Sequence, residues 1–190
     1  EAPVEEPVVE EIDINATYST MLATMAGYNT IKVDALLEEL ATDAPPFLLD
    51  VRSVEEVTEQ GHIEGAAHIP LDALADHTDL LPAFDTPIVA YCGSGWRATI
   101  AMTALHGMGY ENVRALKYTF AGWVEDGNPV AEGLPEAMVL DAVEIPEALL
   151  AANAGAAATS KGMGDHWGVL PAETLDTNMV EMADLVVIDV

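Results

Sequence analysis

Apolar residues along this chain fall into two kinds of run. Phe47-Leu48-Leu49-Asp50-Val51, Pro87-Ile88-Val89-Ala90-Tyr91 and Val113-Arg114-Ala115-Leu116 are short and nearly unbroken, the pattern of strands covered on both faces. Helical spacing holds from Ala16 to Ala26, with Gly27 as a candidate C-cap, and from Val33 to Leu40, with Asp34 as a candidate N-cap and Pro45-Pro46 as a stop. It returns from Ala98 to His106, ahead of Gly107 and Gly109. Strand, helix and strand in this order predict an α/β domain with a parallel sheet between helices.

The rest of the chain divides around that domain. Residues 1–27 are an acidic, Pro-spaced tether followed by the leading helix, and 28–130 are the domain. Residues 131–166, rich in Ala, Gly, Glu and Pro, predict a linker with one short helix from Pro146 to Ala152. Residues 167–190 resemble the start of the domain: Ile31, Leu36, Leu49, Asp50 and Val51 recur as Leu170, Leu175, Ile188, Asp189 and Val190 at a constant offset of 139. This predicts the beginning of a second, truncated unit. Its strand, 185–190, is expected to pair with a sheet edge, either in the first domain or in another copy by strand exchange.

Charge changes the picture most. Six basic residues stand against 33 acidic ones, a net charge of −27. Such a surface repels phosphate backbones, so nucleic-acid binding is not expected. It keeps a protein soluble and suits a salty medium or an acidic envelope space. An acidic leader of this kind often follows a removed export signal, so the cell envelope or the exterior is favoured over the cytoplasm. No apolar run approaches the roughly 20 residues of a membrane span. A single cysteine, Cys92, allows neither an internal disulfide nor a cysteine-only metal site. Asp165-His166-Trp167 reads as ordinary linker chemistry, and no metal site is expected.

The chemistry concentrates at Tyr91-Cys92-Gly93-Ser94-Gly95-Trp96-Arg97-Ala98. A buried strand ends, the cysteine stands at its carboxyl end, a Gly-rich loop follows and a helix opens, where open α/β sheets bind ligands. Gly93 and Gly95 let the backbone curl so that successive N–H groups face the Cys92 sulfur. Those amides, the helix N-terminus and Arg97 favour negative charge there, and the thiolate is the nucleophilic form of cysteine.

Four pieces then fall in an order that resembles the rhodanese homology domain. They are Asp50-Val51-Arg52; Gly61-His62-Ile63-Glu64-Gly65-Ala66-Ala67-His68-Ile69-Pro70; Cys92 to Arg97; and Asn112-Val113-Arg114-Ala115-Leu116-Lys117 with Gly122-Trp123. The resemblance implies a three-layer fold with a central, mostly parallel five-stranded sheet flanked by helices. It implies a sulfurtransferase that moves sulfane sulfur from a small donor, of the thiosulfate or mercaptopyruvate type, to cyanide or a thiol through a Cys92 persulfide, with no cofactor. Gly93, Ser94, Gly95 and Trp96 would supply loop amides, and Arg97 would brace the loop by charge. Asp50 and Arg52 would be structural, Arg52 through Glu55 or Glu56, and His62 and His68 structural as well. Related phosphatases and arsenate reductases have a loop one residue longer, so the four residues between Cys92 and Arg97 favour sulfur transfer. A non-catalytic module for protein contact or persulfide sensing is the principal alternative.

The chain departs from the family pattern in three places. The stretch from Asp50 to Gly61 is one residue longer than the commonest pattern. Tyr118-Thr119 replaces two glycines after Lys117, which sets a ring, Tyr118, at the mouth of the site. Cys-Gly-Ser-Gly resembles mercaptopyruvate-type loops and Arg97 thiosulfate-type ones, so the donor stays open.

Overall fold

A computed structural model describes residues 13–138, 140, 143–151 and 153. Five strands, β1 (Thr30–Ile31), β2 (Phe47–Asp50), β3 (Ala67–His68), β4 (Ile88–Tyr91) and β5 (Val113–Leu116), form one sheet in the order β1-β5-β4-β2-β3. Every pairing is parallel. The five-stranded sheet agrees with the expected fold, and it is wholly rather than mostly parallel.

β4 sits at the centre, buried at all four positions. Its alternation sorts the core: Ile88, Ala90 and Cys92 join one apolar cluster, Val89 and Tyr91 the other. The first cluster packs under α4 (Trp96–Gly107), against which α1 (Ile14–Thr24) rests. The second lies under α2 (Val33–Leu40) and α5 (Thr119–Glu125), which touch each other. Parallel strands covered on both faces need no polar side, hence their unbroken apolar runs.

Helix boundaries differ from the sequence expectations where backbone bonding decides. The α2 N-cap is Lys32, not Asp34: the Leu36 N–H already bonds the Lys32 carbonyl at 2.9 Å. Asp34 instead lies in the first turn, where its charge suits the helix dipole. α1 opens at Asp13, whose carboxylate accepts from the Ala16 N–H at 3.1 Å, and closes at Met25, ahead of Gly27.

α3 (Val54–Gln60) carries a capping box: Ser53 accepts from the Glu56 N–H, and the Glu56 carboxylate accepts from the Ser53 N–H at 2.9 Å. It ends at Gly61, φ 75°, where a Cβ would lie 2.3 Å from the Ala131 carbonyl oxygen. That close approach belongs to an antiparallel bridge between His62 and Ala131. Residues 147–151 are helical, Leu149 is buried, and Asn153 accepts from the Tyr18 hydroxyl of α1 at 2.8 Å. The tether 1–12, Asp165-His166-Trp167 and the repeat at 167–190 lie outside the described residues.

Candidate active site

Cys92 is the first residue past β4 and is fully buried. The parallel sheet sets it at the carboxyl edge, beside Asp50 of β2, which pairs with Tyr91. From there the chain curls into α4 through Gly95, the helix N-cap, at φ 107°. The Gly95 N–H donates to the Cys92 Sγ at 3.0 Å. The left-handed turn rests on Gly95; Gly93 has no positive φ. A Cβ on Gly93 would lie 3.4 Å from Glu56 Oε1 and 3.5 Å from Arg97 Nη2, so the pair formed by those residues borders the loop there.

That pair is the main revision to the expected electrostatics. Arg97 donates through Nη1 to Glu56 Oε2 at 2.5 Å and through Nη2 to Oε1 at 2.7 Å, a bidentate fork. The hydrogen bonds to Arg97 are the largest cause holding the Glu56 carboxyl down at about 2. Arg97 is in turn raised, first by its hydrogen bonds to Glu56, with burial opposing and the Cys92 sulfur adding a smaller attraction. Arg97 therefore reaches the sulfur as a charge already shared with a carboxylate.

Arg52 is buried, and its partner is Asp50 rather than Glu55 or Glu56. Its Nη2 donates to Asp50 Oδ2 at 2.5 Å and to the Gly61 carbonyl at 2.6 Å, and its guanidinium carbon sits 3.7 Å from the centre of the Phe120 ring. Asp50 at the end of β2 and Arg52 two residues on pair with each other, Arg52 also reaching Gln60 and the Gly61 carbonyl at the end of α3, while Glu56 pairs with Arg97. His68 Nε2 lies 2.8 Å from the Arg52 carbonyl and His62 Nδ1 2.8 Å from that of Gly133. Trp123 is buried and donates to the Pro129 carbonyl at 2.8 Å.

A cleft of about 440 Å³ flanks the loop, lined by Ser94, Gly95 and Trp96 together with Leu116, Lys117 and Tyr118. Trp96 and Tyr118 expose 48% and 66% of their surface, enough to offer ring faces to a visitor. The ring of Tyr118 lies 5.5 Å from the Lys117 ammonium. Among the described residues, no group of three or more His, Cys, Asp or Glu side chains could hold a metal ion. No helix there is long and apolar enough to cross a membrane.

Sequence reasoning missed Glu56 as the partner of Arg97, because 41 positions separate them. It also assigned no role to Thr119, although replacement of a glycine pair was a signal.

A family model described as "Rhodanese-like domain" matches residues 32–126. A putative mitochondrial thiosulfate sulfurtransferase of Schizosaccharomyces pombe is 29% identical over 119 residues, covering 56% of this chain and 81% of the relative. A rhodanese domain-containing protein of Drosophila melanogaster is 28% identical over 113 residues, covering 53% and 96%. Among solved structures, a 3-mercaptopyruvate sulfotransferase of Escherichia coli superposes with a TM-score of 0.51 at 23% identity, covering 63% of this chain and 56% of that one. At that identity the likeness is one of fold.

Proposed function

Because this chain belongs to the rhodanese-like domain family, we propose that it is a sulfurtransferase working through a persulfide on Cys92. The observation that carries the reading is the Cys92 sulfur at the strand's carboxyl end, with the Gly95 N–H 3.0 Å away and Arg97 within its field. Amide donors of this kind favour a sulfur anion, whether thiolate or persulfide. The thiolate attacks the outer sulfur of the donor. A new S–S bond forms at Sγ, the donor's own bond to that sulfur breaks, and the leaving group (sulfite, for thiosulfate) departs with the bonding pair. An acceptor such as cyanide or a thiolate then attacks the terminal sulfur and returns Cys92 to the thiolate. By the family resemblance, four residues between Cys92 and Arg97 suit a single added sulfur better than a tetrahedral phosphate. The cleft beside Trp96, Lys117 and Tyr118 is the approach for donor and acceptor.

Intact mass measured after exposure to thiosulfate or mercaptopyruvate, then after a cyanide chase, tests this. A gain of one sulfur, lost in cyanide and absent from Cys92→Ser, is expected. A gain that persists on the Ser variant would remove the assignment.

The complete burial of Cys92 favours a second reading, a module that stores or senses persulfide or makes protein contacts. Normal persulfide formation with very slow turnover would select it.

A further inference from the structure

Immediately after β5 the backbone enters a conformation that side chains resist. Tyr118 and Thr119 follow Lys117 with φ of 65° and 52°. A positive φ crowds Cβ against the carbonyl, and in a β-branched residue it is a true outlier. Strain of this kind persists only where its surroundings over-determine it. The surroundings here are specific. At Gly122 a Cβ would lie 2.6 Å from that of Tyr118, so α5 leaves the space that the strained turn occupies. Thr119 itself is 1% exposed and aimed inward, at the backbone of Cys92.

The Thr119 hydroxyl binds both sides of that residue. Its Oγ1 accepts from the Cys92 N–H at 2.8 Å, and its proton goes to the Cys92 carbonyl. The Phe120 N–H also donates to that carbonyl, at 3.0 Å. Cys92 lies just beyond β4, so Thr119 takes up backbone groups at the end of the strand. The N–H belongs to the peptide plane before Cys92 and the carbonyl to the plane after it. Tying both planes to one oxygen sets φ and ψ of Cys92, hence the direction of its Cα–Cβ bond and the place of Sγ opposite the Gly95 N–H.

We propose that Thr119 is the positioning residue for the Cys92 sulfur, a hydroxyl clamp standing where the family resemblance implies glycine. The proposal rests on the reading of Cys92 as the sulfur carrier, but its geometry can be tested apart from it. A glycine at 119 would relax the turn and lose the clamp; a valine would keep the shape and lose the hydroxyl; a serine would keep the hydroxyl.

The test uses the full chain, whose single cysteine makes the readout unambiguous. Cys92 alkylation by iodoacetamide is timed across pH 5 to 9, and sulfur uptake from thiosulfate is timed by mass, for Thr119→Gly, Thr119→Val and Thr119→Ser. Thr119→Ser is expected to stay within about twofold of the parent, and Gly and Val to shift the alkylation profile and slow uptake roughly tenfold or more. Thr119→Gly is expected to melt no lower than the parent, which separates positioning from general stability. A Gly variant with the parent's alkylation profile would overturn the clamp, and so would one that melts well below it. If Val fails to fold, Gly still decides. If the parent takes up no sulfur while the alkylation order holds, the sulfurtransferase reading fails and the clamp stands.

Discussion

Glu56 accepts from Arg97 through both carboxylate oxygens and from the Ser53 N–H through one of them, so a single side chain joins the start of α3 to the start of α4. Its pKa is lowered to about 2 from an ordinary 4.5, chiefly by the hydrogen bonds to Arg97. A group depressed on folding binds fewer protons in the native state, so stability rises with pH through its window. The contribution is complete above pH 4.5 and is lost as pH falls toward 2. Glu56→Gln should therefore be less stable than the parent at neutral pH, and its melting temperature should fall less steeply between pH 4.5 and 2. Thermal melts followed by circular dichroism check this; parallel curves for the two proteins would show that the pair is not coupled to folding.

Among the elements, the junction from α3 to the following turn depends on one backbone position. Gly61 and Gly127 share a φ of 75°, but only Gly61 faces another chain segment, with the Ala131 oxygen 2.3 Å from where a Cβ would stand. Gly127→Ala should cost about 1–2 kcal/mol, the left-handed penalty alone. Gly61→Ala adds an overlap worth about 1–3 kcal/mol more and should loosen the bridge between His62 and Ala131. Urea unfolding of both variants measures the difference, and equal midpoints would mean that residues 130–131 move aside freely.

At the scale of the whole molecule, a net charge of −27 surrounds a site whose nearest arginine is already paired. Anionic donors meet long-range repulsion, while attraction is local: the Gly95 N–H, what remains of the Arg97 field, and the Lys117 ammonium beside the cleft. The Debye length is about 10 Å at 0.1 M salt, so added salt screens the repulsion first. Sulfur uptake from thiosulfate should quicken between 20 and 300 mM sodium chloride, and stopped-flow rates test this. A steep fall would show that Lys117 and Arg97 at the entrance outweigh the net charge of the chain.

The sequence by itself determined the elements whose signal is local. β2, β4, β5 and α4 are legible because burial on two faces, or on one stripe, leaves an apolar period in the residues themselves. The Cys92 loop is legible because cysteine, glycines and arginine lie within one short stretch. β1 and β3 were not, since two residues carry no period and become strands only by pairing with β5 and β2. Tertiary structure alone decided the charge pairs: Arg52 lies between Asp50 and Phe120, and Glu56 reaches a residue 41 positions away. It also decided the turn at Tyr118-Thr119, which local preference opposes and which holds where the Thr119 hydroxyl meets both backbone groups of Cys92. Periodicity records which side of an element is buried; which polar group meets which depends on where the elements stop in space, and the chain encodes that only through the packing of the whole domain.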